Sequence, residues 1–247
     1  MSEPQEDSFI SHLVELRDRL LRAVVAVVAI FVCLMPWAGD IYDILAHPMM
    51  SALPEGTKMI ATGVVTPFFV PMKVTLLVAF VIALPFVLYQ AWCFIAPGLY
   101  AHEKRLGLPL VVGSTVLFLA GMAFCYFFVF GTVFKFIAQF APKSITPAPD
   151  IEQYLAFVMS MFLAFGITFE VPVIVIVLVK LGIVDVAKLK EARPYVIVGA
   201  FVIAAVVTPP DVVSQLMLAV PMCLLYELGI FLSRFVTRTR VDEAVSS

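Results

Sequence analysis

Residues 154–179 read YLAFVMSMFLAFGITFEVPVIVIVLV, an apolar stretch with one charged residue, Glu170. The stretch is longer than the roughly 20 residues that a helix needs to cross about 30 Å of hydrocarbon. It is continuously apolar and does not alternate between two faces, which favours a helix over a strand of a membrane barrel. It therefore predicts a membrane-spanning α-helix.

The rest of the chain repeats this pattern. Of its 247 residues 62% are apolar and 14% are charged, with a mean hydropathy of +1.06, whereas soluble domains have about 45–50% apolar and about 25% charged residues. Nothing in this composition points to nucleic-acid binding. We predict an all-α integral membrane protein with a single domain, residues 1–247, and five further membrane helices at 20–38, 74–89 with an extension toward 94, 106–134, 195–207 and 212–232.

Two of these apolar stretches are short. Residues 195–207 provide about 20 Å of helix, which is less than the thickness of a bilayer. The last stretch is also short when it is measured between Asp211 and Glu227. We expect short fifth and sixth helices that thin the bilayer locally or attract partner helices, unless packing and snorkelling absorb the mismatch.

Charge placement predicts the orientation. Twelve of the 16 Lys and Arg residues fall in the N-terminal segment, in the loops after the second and fourth membrane helices, and in the C-terminal segment from Arg234 onward, which includes the polar tail, residues 235–247. The positive-inside rule places these segments and both termini in the cytoplasm. Acidic residues stand where a signal peptide would be basic, so we expect no cleavable signal peptide.

Residues 1–19 are predicted to form an amphipathic segment on the cytoplasmic surface. Apolar residues recur there at helical spacing, while Glu15 with Arg19 and Asp18 with Arg22 are i,i+4 pairs on the polar face. We expect this segment to lead directly into the first membrane helix.

The sequence contains no motif of a common enzyme class. Its four cysteines are far apart, in or beside apolar stretches, and its three histidines fall outside the predicted spans. There is no phosphate-binding loop and no serine-nucleophile motif. We therefore expect a protein that is not an enzyme and that holds no cofactor or metal.

Glu170 is the polar residue with the most costly position. An ionised carboxylate inside a membrane helix costs about 2.5–3.5 kcal/mol on insertion scales. Two residues later Pro172 removes a helical N–H and should kink the helix. The two residues predict a polar, bent wall that faces a concave interior. The alternative is a structural carboxylate satisfied by a neighbouring helix.

Glu103 lies in a short cytoplasmic loop that follows an aromatic segment containing Phe94 and Leu99. Taken alone it is typical of a solvated charge. Its expected proximity to Glu15 on the same membrane face provides two carboxylates, which suit two guanidinium groups through forked, charge-assisted hydrogen bonds. Phe94 and Leu99 would then receive apolar residues beside those arginines.

Several stretches, in the right order, resemble the TatC family over nearly the whole chain. They are HLVELRDRL at 12–20, FIAPGLY at 94–100 with HEKR at 102–105, AFG at 164–166 with FEVP at 169–172, RPY at 193–195, and TPPD at 208–211. Only the acidic start and the tail after Arg240 lie outside the match. The resemblance implies six helices in a cupped, glove-like arrangement with Glu170 on the concave face.

The resemblance also implies a function. Members of the family are receptor components of the twin-arginine export system in the bacterial cytoplasmic (inner) membrane. By analogy, Glu15 and Glu103 bind the consecutive arginines of a signal peptide, with Arg17, Phe94 and Leu99 in the same region. Pro48 and Asp211 lie in predicted loops that the resemblance ties to function, although Pro48 alone indicates only an ordinary turn.

The partners follow from the resemblance as well. It implies single-span TatB and TatA subunits, membrane lipids and a multi-copy complex that moves folded proteins with the energy of the proton gradient. Thr208 and Gln215 are candidates to hydrogen-bond a partner helix, with bonding of Gln215 inside this chain as the alternative. Two other classes stay open: a proton-coupled small-solute transporter with Glu170 as its ion site, and a structural scaffold for other membrane subunits.

Overall fold

The computed structural model describes residues 3–51, 59–95, 104–140, 148–208 and 211–245. The helices in these ranges are α1 (Glu3–Leu34), α2 (Ala38–Met50), α3 (Thr66–Ile95), α4 (Lys104–Phe124), α5 (Phe130–Phe140), α6 (Ile151–Lys180), α7 (Val186–Glu191), α8 (Arg193–Val207) and α9 (Val212–Val245). A 3-10 turn, Met35–Trp37, joins α1 to α2, and a π-helical turn, Cys125–Val129, joins α4 to α5. Within the described ranges the only β-type contact is one bridge between Ile60 and Asp150.

The apolar helices confirm the all-α membrane class. Five helical segments are long and apolar enough to cross a membrane, and one shorter apolar helix accompanies them. That shorter helix is α8, whose 15 residues measure about 22 Å at 1.5 Å per residue, so the short fifth helix is confirmed. The five longer segments are His12–Met50, Thr66–Ile95, Gly107–Ile137, Ile151–Lys180 and Val212–Arg234.

The amphipathic start of the chain and the first membrane helix form one element. α1 is a single uninterrupted helix that begins at Glu3 and ends at Leu34. The segment is therefore continuous with the first apolar helix, and the polar face of α1 is a helical extension of that helix.

The prediction of a short last helix is wrong. α9 has 34 residues, and its apolar part, Val212–Arg234, has 23. Glu227 does not end this apolar part, because Arg193 at the start of α8 donates a 2.6 Å hydrogen bond from Nη2 to Glu227 Oε2 and so pairs the charge. The helix extends beyond this apolar part and ends at Val245.

Pro48 does not lie in a loop turn, as the sequence predicted, but in the last turn of α2. The Ser51 N–H donates to the His47 carbonyl at 2.9 Å, and the Ser51 hydroxyl contacts the carbonyls of His47 and Pro48 at 2.9 and 3.1 Å. Proline has no N–H to donate to the carbonyl four residues earlier, so Pro48 removes one backbone hydrogen bond from the end of α2, which stops two residues later. The proline therefore marks a helix end.

Contacts divide the chain into two compact units. The first contains residues 1–45 and 68–115, and the second contains residues 46–67 and 116–247. The first unit therefore includes α1, α3 and most of α4. The second unit includes the end of α4 and the helices from α5 to α9.

Within the second unit, glycines lie at the points where helices approach α6 most closely. A Cβ added at Gly121 of α4 would lie 2.5 Å from the carbonyl oxygen of Phe165, and one added at Gly229 of α9 would lie 3.0 Å from the Cα of Pro172. A Cβ at Gly166 of α6 would overlap the ring of Phe118. The absence of side chains at these positions lets the helix backbones come together.

Candidate functional site

Glu15 lies on the polar face of α1 and is bound by a guanidinium group of the same helix. Its Oε1 accepts hydrogen bonds from Arg19 Nε at 2.8 Å and from Arg19 Nη2 at 2.5 Å. His12 approaches from the preceding turn, with Nδ1 3.9 Å from Glu15 Oε2. The i,i+4 spacing of Glu15 and Arg19 places both on one side of the helix, and the predicted pair is confirmed.

The second predicted pair on this face, Asp18 with Arg22, differs from the observed one. Asp18 Oδ1 accepts from Arg17 Nε at 2.9 Å and from Arg17 Nη2 at 2.8 Å. The flexible arginine side chain reaches its sequence neighbour on the exposed surface, where the helical spacing does not restrict it. Arg17 therefore neutralises Asp18, and no contact between Arg17 and Glu15 is found among the described side chains.

Two contacts connect this face of α1 to α3. Arg19 Nη1 lies 3.5 Å from Oε1 of Gln90, a buried residue, and the ring of His12 stacks on Phe94 with centroids 4.4 Å apart and planes at 19°. His12 therefore contacts both Glu15 and Phe94 and brings these two predicted site residues into one neighbourhood. Leu99 and Glu103, the other two, lie outside the described residues.

A surface depression of about 350 Å³ opens on this face of α1, lined by Val14, Glu15, Asp18, Arg19 and Arg22. His12 and Gln90 are site residues that the sequence alone does not predict. The signal for Gln90 was a polar amide inside an otherwise apolar stretch, and the signal for His12 was its position one turn before Glu15. Both features are visible in the sequence, but they identify site residues only once the contacts between α1 and α3 are known.

Glu170 is buried in the second unit, with 6% of its surface exposed. α6 continues as one helix on both sides of it, and Pro172, also buried, is accommodated inside that helix. Thr168 on the same helix is buried too. The Thr168 hydroxyl, the Glu170 carboxylate and Pro172 thus lie in one five-residue stretch inside a membrane-spanning helix.

Asp211 begins α9. Its Oδ1 accepts from the backbone N–H of Ser214 at 2.7 Å, and its carbonyl accepts from the N–H of Gln215 at 3.2 Å, as expected of an N-cap residue. Thr208 follows α8 as its C-cap residue, and its buried hydroxyl donates to the Ala204 carbonyl at 2.8 Å. Thr208 therefore makes a bond within the chain, and Asp211 has a local structural role.

A further polar contact, which the sequence did not predict, fastens the segment before α3 to the start of α6. Asp150 Oδ2 accepts from the Thr62 hydroxyl at 2.7 Å and from the Thr62 N–H at 3.1 Å, while Oδ1 accepts from the N–H groups of Glu152 and Gln153. The bond from the Thr62 hydroxyl is the largest cause that lowers the pKa of Asp150. The signal was an acidic residue immediately before an apolar helix.

We expect this contact to depend on pH. The depressed pKa means that the ionised form of Asp150 stabilises the contact, which is fully present above the ordinary aspartate pKa of about 3.9 and is lost as the pH falls through the lower folded-state value. Hydrogen exchange at the amide of Thr62 should be slow at pH 7 and should accelerate in Asp150→Asn. Asp40→Asn, on α2, is the matched control, and equal acceleration in both variants would contradict the assignment.

Comparisons with known proteins agree on one family. A family model described as "Sec-independent protein translocase protein (TatC)" matches residues 11–221. The TatC protein of Escherichia coli (strain K12) is 50% identical over 235 residues, which cover 95% of this chain and 91% of that protein. The TatC protein of Haemophilus influenzae is 51% identical over 243 residues, with coverages of 98% and 95%.

A solved structure entitled "Crystal Structure of Twin Arginine Translocase Receptor- TatC" is 40% identical in sequence and superposes with a TM-score of 0.80, covering 92% of this chain and 99% of that one. A second structure of that receptor, in DDM, has a TM-score of 0.81. The match extends across the membrane helices and the polar face of α1. From its sequence, its helices and these relatives, the chain belongs to the TatC family.

Proposed function

We propose that this chain is the receptor subunit of a twin-arginine translocase in the bacterial cytoplasmic membrane. It binds the paired arginines of a signal peptide on the polar face of α1, with both termini in the cytoplasm, and it catalyses no covalent reaction. The solved relative, which is named a twin-arginine translocase receptor, supports this role. The distribution of Lys and Arg supports the orientation.

The single observation that carries the proposal is the coordination of Glu15. This carboxylate already accepts two hydrogen bonds from one guanidinium group, so its surroundings are compatible with the group that a signal-peptide arginine presents. Forked contacts of this kind are specific for arginine, because the ammonium group of lysine lacks the planar pair of donors.

The apolar part of the proposed site is aromatic. Phe94 is half-buried beneath His12, and their stacked rings adjoin Glu15. Side chains next to the paired arginines of a signal peptide would pack on this aromatic surface. Glu103 and Leu99, which follow Phe94 in sequence, are predicted to complete the site with a second carboxylate and a second apolar contact.

Glu170 is proposed to serve the apolar stretch of the signal peptide after the arginines have bound. Placing a carboxylate inside a membrane helix costs free energy. Only 6% of the Glu170 surface is exposed, and a residue kept at this cost supports a functional role. The proton gradient is the proposed energy source for transport. In this proposal Glu170 acts after recognition and does not distinguish arginine from lysine.

The short helix α8 is the proposed docking place for TatB and TatA, the single-span partners. Its length of about 22 Å is below the roughly 30 Å of hydrocarbon, and apolar side chains such as Val206, 81% exposed, cover its surface. A partner helix would relieve the mismatch. Gln215, near the start of α9, is the proposed polar contact in a multi-copy complex, because the buried Thr208 hydroxyl at the adjoining end of α8 already donates to the Ala204 carbonyl.

Photocrosslinking tests the receptor role. A photoreactive phenylalanine derivative at position 94 preserves the aromatic contact, and the same derivative at exposed Phe86 on α3 is the matched control. A signal peptide with two arginines should crosslink from position 94, and a peptide with two lysines should crosslink at least about tenfold less, because forked hydrogen bonds are lost. Equal crosslinking of the two peptides from position 94 would reject the proposal.

A further inference from the structure

We propose that Arg19 is a resident competitor for Glu15: without a signal peptide it occupies the carboxylate that the peptide's arginine must use, and it thereby sets the affinity threshold of the receptor. The inference rests on the proposed function and concerns a residue that the function alone does not assign. It begins from the two hydrogen bonds, at 2.8 and 2.5 Å, that Arg19 donates to Glu15 Oε1.

Arg19 presents to Glu15 the same functional group that the proposed ligand presents. A peptide arginine would bring the same guanidinium group, with the same pair of donors, to the same carboxylate. Glu15 and Arg19 are 39% and 23% exposed, so the pair is accessible from the depression that they line. Binding at Glu15 Oε1 is therefore an exchange of one guanidinium for another.

The neighbouring carboxylate is occupied in the same way. Arg17 donates two hydrogen bonds to Asp18 Oδ1, and Asp18 lines the same depression as Glu15. Both carboxylates described on this face thus carry a guanidinium group of the chain itself. A cationic peptide that approaches the face meets charges that are already paired, which lowers its nonspecific attraction.

Arg19 has a second acceptor within reach. Its Nη1 lies 3.5 Å from Gln90 Oε1, and Gln90 is a buried residue of α3. When Arg19 leaves Glu15, a small rotation toward Gln90 shortens this contact, so the released guanidinium keeps a hydrogen-bond partner. The same movement leaves Glu15 accessible beside the stacked rings of His12 and Phe94. Gln90 therefore makes the exchange reversible at low cost.

The competition has a quantitative consequence. When only a fraction of receptors has Glu15 vacant, the apparent affinity of every ligand of Glu15 falls by that fraction. The ratio between arginine and lysine peptides does not change, because both displace the same resident. What changes is the affinity that a peptide needs in order to displace Arg19. A peptide with two arginines exceeds this affinity, whereas a peptide with two lysines, which forms a weaker contact with Glu15, does not.

The test measures signal-peptide affinity for the full chain in nanodiscs. Arg19→Lys keeps the charge and removes the forked contact, and Arg22→Lys is the matched control on the same face. Arg19→Lys should bind both the two-arginine and the two-lysine peptide about threefold to tenfold more tightly, at an unchanged ratio. A peptide with two glutamines, which does not use Glu15, should bind both proteins equally.

The possible results separate the inference from the proposed function. Weaker binding of the arginine peptide to Arg19→Lys would identify Arg19 as a residue that positions Glu15 and would overturn the inference, as would an unchanged affinity or an equal gain in Arg22→Lys. A wild-type protein that does not distinguish arginine from glutamine peptides would overturn the proposed function itself. Arg19→Gln, compared with the same peptides, provides a second variant if Arg19→Lys fails to fold.

Discussion

Glu15→Gln is expected to weaken the binding of a two-arginine signal peptide by about tenfold. A single hydrogen bond to a charged group is worth about 1.5–3 kcal/mol, or about tenfold to a hundredfold in affinity, and two such bonds are worth more. Because Glu15 is already paired with Arg19 in the unbound protein, the substitution removes a favourable contact from both states. The measured affinity therefore reflects only the difference in free energy between the contact of Glu15 with the peptide's arginine and its contact with Arg19.

Isothermal titration of the full chain in nanodiscs, with the arginine and lysine peptides, measures this effect. Glu15→Gln should also reduce the preference for arginine to near one, since an amide oxygen accepts from either cation weakly. Glu170→Gln makes the same chemical change at a buried carboxylate of α6 and should leave the arginine preference intact. An undiminished preference in Glu15→Gln would show that the arginines bind elsewhere.

The same experiment in the Arg19→Lys background connects this prediction to the resident competitor. There the loss caused by Glu15→Gln should grow to about thirtyfold to a hundredfold, because the competing contact in the unbound state is weaker. If the loss is the same in both backgrounds, Arg19 and the peptide do not share Glu15.

Gly121→Ala is expected to cause the largest loss of stability of any conservative substitution considered. The new Cβ would lie 2.5 Å from the Phe165 carbonyl oxygen and 3.0 Å from the Phe165 carbonyl carbon. These are backbone atoms of α6, so the contact is relieved only if two packed helices move apart. Overpacking of this kind costs about 1–3 kcal/mol. A thermal unfolding midpoint in detergent or nanodiscs, lowered by several degrees, measures the effect.

Two other glycines provide controls. Gly113 lies on the same helix, α4, and nothing stands within 4 Å of its added Cβ, so Gly113→Ala should leave the midpoint unchanged or raise it through the helix propensity of alanine. Gly166→Ala meets a ring of Phe118 that has rotational freedom and should cost less than Gly121→Ala. Equal midpoints for Gly121→Ala and Gly113→Ala would show that α4 and α6 are not in close contact at this point.

The positions of the membrane helices followed from local patterns. The stretch at 154–179 predicted most of α6, Ile151–Lys180, and the 13 apolar residues at 195–207 predicted the short helix α8. The pair of Glu15 and Arg19 followed from i,i+4 spacing. Each of these features depends on residues within a few turns of helix, where spacing and hydrophobicity determine the geometry.

The errors also arose from local reasoning. Pro48 predicts a turn because proline is common in turns, yet it lies in the last turn of α2, where the rest of the helix tolerates the loss of one backbone hydrogen bond. Glu227 predicts the end of the last apolar stretch only when its partner Arg193, 34 residues away in the sequence, is left out. In both cases the residue type predicts one local structure, and contacts with residues elsewhere in the fold produce another.

The sequence by itself determined the membrane class, the number and lengths of most apolar helices, and the amphipathic start that carries Glu15. Only the tertiary structure decided what these residues contact: Arg19 reaches Gln90 71 residues away, and Asp150 accepts from Thr62 88 residues away. The physical reason is that helix formation depends on neighbours along the chain, whereas such bonds depend on the rotation and register of packed helices, which many side chains set together.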